Sequence, residues 1–216
     1  MESASLPLFA AAALAALLAG ALLWRLASRR HALPCPVWLR WLVELDNPFT
    51  RTNRAAFIVD CLAPEPGMAV LDAGCGPGRV TVPLARRVGP SGSVTAVDLQ
   101  AGMLARAEAK ARAAGLGNVA FVQAGLGEGR LERNRFHRAA LVTVLGEIPQ
   151  RERALAEIFA ALRPGGLLAV AEVVFDPHFQ RRSTVDRLAA EAGFVLAARH
   201  GNAIAYVALY RKPDGA

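Results

Sequence analysis

VLDAGCGPG, the stretch at residues 70–78, decides the fold of this chain. It begins with apolar residues that suit a buried β-strand, and the strand ends in the acid Asp72. Three glycines then turn the chain into a helix. Gly74 permits the sharp exit from the strand, Gly76 lets the backbone approach a ligand closely, and Gly78 brings helix and strand together. The stretch therefore predicts a strand–loop–helix unit with a pocket for a nucleoside ligand.

The chain around this unit alternates apolar strands with helices, a pattern that indicates a parallel sheet. We predict strands at residues 69–73, 93–98, 119–123, 138–144 and 167–174. We predict helices at residues 53–62, 79–88, 100–114, 151–162 and 182–192. Residues 194–199 and 203–211 flank a His-Gly-Asn turn and indicate a closing β-hairpin. The predicted fold class is α/β, a doubly wound and mostly parallel sheet with a C-terminal antiparallel hairpin.

A second acid, Asp98, ends the next predicted strand, 20 residues after Gly78. This spacing suits an acid that binds the hydroxyls of a ribose. The dinucleotide fingerprint G-x-G-x-x-G requires a final glycine where this chain has Arg79. The pocket therefore favours a mononucleoside ligand, and a nicotinamide-dependent reductase is the weaker alternative.

At these residues the chain resembles the class I S-adenosylmethionine-dependent methyltransferases, and the resemblance covers residues 53–212. Four motifs carry it in the family's order: VLDAGCGPG at 70–78, VTAVDL at 94–99, LRPGGL at 162–167 and EAGF at 191–194. The closing hairpin is also a feature of that family. The resemblance implies a Rossmann-like fold, methyl transfer as the activity, and S-adenosyl-L-methionine as the cofactor.

The resemblance also implies roles for the residues of the glycine loop. Gly74, Gly76 and Gly78 would border the methionine and ribose portions of the cofactor, with Cys75 between them. Asp72 would support the loop and meet the ammonium group of the cofactor, directly or through water.

The second motif, at residues 94–99, implies which residues bind the nucleoside part of the cofactor. Asp98 would accept hydrogen bonds from both ribose hydroxyls, which suits a carboxylate because it has two acceptor oxygens. Leu99 and Met103 would flank the adenine. After the third strand the family usually places an acid that meets the adenine amino group, whereas this chain reads QAGLG at residues 123–127. Gln123 and Ala124 are the candidates there, through a side chain or a backbone carbonyl.

Candidate catalytic residues follow the fourth and fifth strands, where ligands gather in open α/β sheets. They are Glu147, Asp176 and His178, any of which could serve as a base for acceptors that need one. The alternatives are a solvated helix-start acid and a surface loop residue. Glu172, within an apolar strand, is a further buried acid. Because the three cysteines form no CxxC pair, we predict no metal site.

Residues 6–24 contain no charged residue and would span roughly 28 Å as a helix, close to the ~30 Å hydrocarbon core of a membrane. Basic residues follow this segment at Arg25, Arg29 and Arg30, which favours one transmembrane helix with a cytoplasmic C-terminal side over a cleaved signal peptide. The predicted organisation is an anchor at 1–30, a juxtamembrane connector at 31–66 and a methyltransferase domain at 67–216.

The formal net charge of +7 is densest at residues 25–54, beside the predicted anchor. No basic–aromatic motif supports nucleic acid as a partner. The sequence thus predicts a single-pass membrane protein that methylates a small or lipid-like acceptor at the cytoplasmic membrane face. Quinone precursors, phospholipid headgroups and hydrophobic thiols or amines are all candidate acceptors. A non-catalytic, cofactor-binding assembly or regulatory protein is the alternative of another class.

Overall fold

The computed structural model describes residues 50–215 and, before them, only residues 9, 11, 12, 15, 16, 19, 20, 22, 23, 26, 27, 35, 36, 44 and 46. The strands are β1 Ala69–Ala73, β2 Ser93–Asp98, β3 Val119–Gln123, β4 Phe136–Val142, β5 Leu162–Val173, β6 Val195–Gly201 and β7 Ala205–Arg211. The helices of residues 50–215 are α1 Ala55–Leu62, α2 Thr81–Val88, α3 Ala101–Ala113, α4 Arg151–Ala161 and α5 Arg182–Glu191. Short 3-10 turns occupy Arg51–Asn53 and Leu145–Glu147.

The strands form one seven-stranded sheet in the order β3-β2-β1-β4-β5-β7-β6. Strands β1 to β5 pair in parallel, and β7 pairs antiparallel with both β5 and β6. This arrangement confirms the predicted Rossmann-like α/β sheet and its closing hairpin. The carboxyl ends of β1, β2, β3 and β4 therefore lie in one row along the same edge of the sheet.

Both faces of the sheet are buried at its central strands, which explains why β1 reads as a nearly continuous apolar run. Leu71 belongs to the apolar layer that includes α4 and α5, whereas Val70 belongs to the layer that includes α1 and α2. Helix α3 packs against β2 and β3 through Leu104 and Ala107. Asp72 lies among these side chains with 2% of its surface exposed.

Strands β4 to β7 differ from their predicted bounds by one or more residues, and two of these differences have a clear cause. Strand β4 ends at Val142 because Thr143 has a φ of 54°, a left-handed conformation that cannot continue a strand. Strand β5 begins at Leu162 instead of residue 167, because Leu162 pairs with Phe136 across a register shift. The observed strand therefore includes Arg163-Pro164-Gly165-Gly166, which the predicted strand left out.

The prediction of a single-pass membrane protein with a cytoplasmic catalytic domain is wrong. Within the described part of the chain, no helix has both the length and the apolar character needed to cross a membrane. The prediction relied on a run without charges, but many of its residues are alanines, which contribute almost no insertion free energy. Most of residues 6–24 lie outside the described residues, as does the whole of residues 37–43, where the connector has its two tryptophans. The domain bounds at residues 30 and 66 remain predictions.

Candidate active site

A cavity of about 370 Å³ opens at the carboxyl edge of the sheet, among the loops that follow β1, β2, β3 and β4. Five predicted site residues line it: Gly74, Asp98, Leu99, Ala124 and Glu147. Val144, Leu126 and Ile148 supply apolar walls that the sequence did not identify. The cavity therefore brings together residues that are up to 73 positions apart in the chain.

Two loop glycines are required by both conformation and space. Gly74 has a φ of 71°, and a Cβ atom there would lie 2.5 Å from a methyl carbon of Val144. Gly78 has a φ of 81°, and a Cβ there would lie 2.9 Å from the Cβ of Ala107 in α3. The first glycine brings β1 against the loop after β4, and the second lets α3 approach the glycine loop.

The Asp98 carboxylate holds the glycine loop from the end of β2. Its Oδ2 accepts a hydrogen bond from the Gly76 amide at 2.9 Å, and its Oδ1 accepts one from the Gln100 amide at 2.8 Å. Burial raises the pKa of Asp98, and these two amide bonds oppose the rise. A Cβ on Gly76 would meet nothing within 4 Å, so this part of the loop lies open toward the ligand side.

Asp72 faces away from solvent, beneath the glycine loop. Its Oδ2 accepts a hydrogen bond of 2.6 Å from the hydroxyl of Thr81 at the start of α2. Burial raises the pKa of Asp72 to about 6, while the Thr81 hydrogen bond and the charge of Arg79 lower it. Asp72 thus ties the end of β1 to α2, and Thr81 is a partner that sequence reasoning missed.

Cys75 and Met103 are buried, with exposures of 6% and 2%, and neither belongs to the cavity lining. Cys75 packs with Ala96, Leu104 and Ala107. Burial raises the pKa of the Cys75 thiol well above its usual range, which disfavours the thiolate. The geometry gives Cys75 a packing role within the loop.

The two candidates after β3 differ in position. The Ala124 amide donates a 3.1 Å hydrogen bond to the Asp98 carbonyl, and Ala124 lines the cavity. The Gln123 side chain is exposed, donates to the Leu99 carbonyl at 3.2 Å and is not part of the cavity lining. Glu128, which the sequence analysis passed over, is part of that lining.

Glu147 and His178 meet beside the cavity. Their nearest atoms, Glu147 Oε1 and His178 Nδ1, are 3.7 Å apart, and the same nitrogen is 3.9 Å from Asp176 Oδ1. Gly146 makes this approach possible, because a Cβ there would overlap the His178 backbone. Burial and the negative charge of Asp176 raise the pKa of Glu147 to about 8.

The buried Glu172 supports the loop that carries His178. Its Oε2 accepts a 3.0 Å hydrogen bond from the Gln180 amide, and the Gln180 side chain donates to the His178 carbonyl at 2.6 Å. Tyr206 also donates to the Gln180 carbonyl at 2.9 Å. Burial keeps the pKa of Glu172 well above its ordinary value.

Cys35 lies beside the cavity even though it precedes the sheet by more than thirty residues. Its amide donates to Glu147 Oε2 at 3.4 Å, and its carbonyl accepts from Gln100 Nε2 at 2.9 Å. Burial, together with the charges of Glu147, Asp176 and Asp98, raises the pKa of the Cys35 thiol to about 11. Cys35 therefore bridges the loops after β2 and β4, a contact without any sequence signal.

These residues fit S-adenosylmethionine. The cavity volume lies in the range of small-molecule sites, roughly 300–1,000 Å³. The Asp98 carboxylate retains acceptor capacity beyond its two amide bonds, since an ionised carboxylate has about four lone-pair sites. The space over Gly76 admits a ligand against the backbone. A nucleoside with a short amino-acid tail matches both the chemistry and the size.

Comparison with protein families gives one model match. Residues 70–166 match the family described as "Methyltransferase domain". The matched region begins in β1 and ends in β5, so it contains the glycine loop, Asp98 and Glu147. This match supports the sequence prediction of a methyltransferase domain over residues 70–166.

Among curated relatives, two proteins named Ubiquinone/menaquinone biosynthesis C-methyltransferase UbiE are 37% identical to the chain. The protein from Psychromonas ingrahamii aligns over 117 residues, 54% of this chain and 47% of that protein. The protein from Vibrio vulnificus strain YJ016 aligns over 125 residues, 56% of this chain and 48% of that protein. The chain thus spans about half the length of the curated relatives it matches.

Solved structures share the fold. A SAM-dependent methyltransferase from Aquifex aeolicus superposes with a TM-score of 0.74 at 19% identity, covering 83% of this chain and all of that one. The [4+2]-cyclase SpnF superposes with a TM-score of 0.66 at 18% identity, covering 75% of this chain and 80% of that one. The fold alone does not decide the reaction. Together with the family match over residues 70–166, the shared fold supports a methyltransferase domain in this part of the chain.

Proposed function

We propose that this S-adenosylmethionine-dependent methyltransferase domain methylates a small or lipid-like acceptor that carries a hydroxylated ring, such as a quinone precursor. The observation that carries the proposal is the pair Glu147–His178, which meets at 3.7 Å beside the cavity. The relatives are named as C-methyltransferases of ubiquinone and menaquinone biosynthesis, which supports the same class of acceptor.

The cofactor supplies a methyl group that is already activated on a sulfonium sulfur. The protein therefore needs no nucleophile of its own, and its main tasks are alignment and exclusion of water. Asp98 and the glycine loop hold the nucleoside, and the loop after β4 forms the opposite wall of the cavity. Val144 and Ile148 give that wall an apolar surface that suits an aromatic acceptor.

A hydroxylated ring becomes a strong nucleophile at carbon or oxygen only when its hydroxyl loses a proton. Glu147 is the group placed to accept that proton, because it lines the cavity. A raised pKa near 8 makes its carboxylate a stronger base than an ordinary exposed one. The sulfonium does not require this base, so the pair Glu147–His178 points to an acceptor that does.

His178 serves Glu147 as a partner that holds or moves a proton. It is 5% exposed and sits between two carboxylates, Glu147 and Asp176. The distance of 3.7 Å is longer than a hydrogen bond, but catalytic contacts are often long in the absence of substrate. The His178 amide donates to Asp176 Oδ1 at 2.7 Å, which fixes the loop beside Glu147.

The test offers the purified chain S-adenosylmethionine with a labelled methyl group and three acceptors with the same apolar tail. The tail carries a dihydroxylated aromatic ring, a primary amine or a thiol. We expect label in the ring compound, and we expect Glu147→Gln to remove it while Glu152→Gln, an exposed acid on α4, does not. Label confined to the amine or the thiol would contradict the proposal.

A further inference from the structure

We infer that Cys35 is a positioning residue for Glu147, and that its backbone amide orients the Glu147 carboxylate at the cavity. The inference rests on the proposed role of Glu147 as the base and names the group that holds this base. Cys35 lies outside residues 70–166, the region that matches the methyltransferase family. A segment that precedes the sheet thus contributes to the active site.

Cys35 contacts the loops on two sides of the cavity. Its amide donates to Glu147 Oε2 at 3.4 Å, and its carbonyl accepts from Gln100 Nε2 at 2.9 Å. The Gln100 amide in turn donates to Asp98 Oδ1 at 2.8 Å. One residue therefore links the acid proposed to bind the ribose with the acid proposed to act as the base.

The two carboxylate oxygens of Glu147 face different groups. Oε2 faces the Cys35 amide, whereas Oε1 lies 3.7 Å from His178 Nδ1. A backbone amide donates a hydrogen bond and takes up no proton, so it favours the ionised form of the carboxylate. The Cys35 contact therefore leaves Oε1, beside His178, as the oxygen that takes up a proton. The separation of 3.4 Å is long, and catalytic contacts often shorten when substrate binds.

The charges around Glu147 oppose its ionisation. The titratable and charged groups that surround it are Asp98 of β2, Glu172 of β5, Asp176 and His178 after β5, Arg151 of α4 and the Cys35 thiol. Burial and the charge of Asp176 raise the pKa of Glu147 to about 8, and the Cys35 amide lowers it. Loss of this amide should therefore raise the pKa of Glu147 further and require a higher pH for the base to act.

Two acids from the same part of the chain are tied to the domain. Glu44 accepts hydrogen bonds from Arg106 of α3 at 2.7 and 3.0 Å. Asp46 pairs at 3.1 Å with Arg79, which follows the glycine loop, and accepts at 2.9 Å from the Ala55 amide at the start of α1. These contacts hold described residues before the sheet against α1, α3 and the glycine loop. The Cys35 contact thus belongs to a part of the chain that is docked at several points.

The experiment compares the full chain with Cys35→Pro, which lacks the amide hydrogen, and with Cys35→Ala, which keeps it. Pro36 already restricts residue 35 to extended backbone conformations, and these include the φ of proline. The rate of methyl transfer to the dihydroxylated ring compound is measured from pH 6 to pH 10. We expect the pH midpoint of Cys35→Pro to lie about one unit above that of the wild type, which lowers the rate at pH 7 roughly tenfold. Cys35→Ala should keep the wild-type midpoint. A midpoint that moves equally in both variants, or in neither, would overturn the inference.

A second measurement separates this inference from the proposed function. The ionisation of Glu147 is followed by NMR on chain with carbon-13-labelled glutamate, and Glu147→Gln assigns the signal. Cys35→Pro should raise the pKa of Glu147, whereas Cys35→Ala should not. A raised pKa together with a wild-type rate that does not depend on pH would contradict Glu147 as the base and leave the amide contact supported. An unchanged pKa in folded Cys35→Pro would contradict the inference alone.

Gln100→Ala provides a variant that leaves the backbone of residue 35 untouched. It removes the side chain that holds the Cys35 carbonyl, so the Cys35 amide should lose its fixed position beside Glu147. We expect the pKa of Glu147 to rise in Gln100→Ala, in the same direction as in Cys35→Pro. This variant decides the question if Cys35→Pro fails to fold, and a wild-type pKa in Gln100→Ala would then overturn the inference.

Discussion

Asp98 Oδ2 accepts a hydrogen bond of 2.9 Å from the Gly76 amide, so the acid at the end of β2 holds the glycine loop at the end of β1. The other oxygen accepts the Gln100 amide at 2.8 Å and fixes the start of α3. One carboxylate therefore shapes the loop and presents acceptors to a ligand. Binding and loop order are coupled through this residue.

Replacing Asp98 with Ala should weaken binding of S-adenosylmethionine by about 2–4 kcal/mol, roughly 30- to 900-fold, because a charge-assisted partner of the ligand is lost. Isothermal titration calorimetry measures this change. Asp60→Ala, an exposed acid paired with Arg87, is the matched control and should bind normally. Unchanged affinity in a folded Asp98→Ala chain would place the ribose elsewhere.

Gly74→Ala should lower the free energy of unfolding by roughly 2–4 kcal/mol, because it adds a steric overlap with Val144 to the strain of a positive φ. Gly115 is the control, since its φ of 68° is similar and a Cβ there would meet nothing within 4 Å. Gly115→Ala should cost only about 1–2 kcal/mol. Chemical denaturation measures both values.

Val144→Ala tests whether the Val144 methyl groups cause the larger loss of stability in Gly74→Ala than in Gly115→Ala. In the Gly74→Ala background it removes the overlapping methyl carbons, so the excess loss over Gly115→Ala should disappear. If Gly74→Ala and Gly115→Ala cost the same amount, the contact with Val144 contributes nothing to the need for glycine at residue 74.

The sequence predicted the strands well where burial on both faces makes an uninterrupted apolar run. Strands β1 and β2, which are buried on both faces, have the predicted bounds, because Gly74 follows the first and Asp98 ends the second. The edge strand β3 also has the predicted bounds, although it is less buried. Strand β5 differs, because its pairing through Leu162 with Phe136 is a tertiary contact. Local turn chemistry at Arg163-Pro164-Gly165-Gly166 gave no sign of that pairing.

Thr81→Val should lower the free energy of unfolding by about 1–3 kcal/mol near pH 8, because it leaves the buried Asp72 without its hydroxyl donor. Thr81→Ser keeps the donor and should lose less. Both are measured by chemical denaturation.

The Thr81 effect should depend on pH in a defined direction. The folded pKa of Asp72, about 6, lies above the ordinary value of 3.8, so the folded form binds the proton more tightly. Stability should therefore fall as pH rises from about 3.8 to 6. The Thr81 hydrogen bond lowers the pKa of Asp72, so its loss should raise that pKa. The fall in stability should then extend to higher pH. A Thr81→Val penalty equal at pH 4 and pH 8 would argue against this role.

Methyl transfer should increase as pH rises toward about 8, because Glu147 acts as a base only after it loses its proton. Glu147→Gln should abolish both the transfer and this pH-dependent rise. The rate is followed as S-adenosylhomocysteine produced per minute. A wild-type rate that is flat between pH 6 and 9 would exclude Glu147 as the base.

The free energy of unfolding of the wild-type chain should also depend on the ionisation of Glu147. The folded pKa of Glu147, about 8, exceeds its ordinary value of 4.5, so the free energy of unfolding should fall between these pH values. Glu147→Gln should flatten that part of the pH profile. An unchanged slope in the variant would mean that Glu147 titrates in the folded chain as it does in the unfolded one.

The site was predictable only where a residue's role is local to its motif. Asp98 and the loop glycines carry their chemistry in a short stretch, so the sequence identified them. Cys35 reaches the site through folding of a distant segment, and no spacing marks it. Thr81 lies only three residues after Gly78, but its hydrogen bond to Asp72 is visible only in the folded chain. Gln123 illustrates the converse, since its position in the chain suited the adenine but its side chain turns to the Leu99 carbonyl.

The structure of the chain in complex with S-adenosylhomocysteine tests the central claim most directly. We predict the ribose hydroxyls on the Asp98 carboxylate, the adenine beside Leu99 and Leu126, and the sulfur on the side of Glu147. A ligand bound outside this cavity, or bound within it with the adenine toward Glu147, would contradict the account.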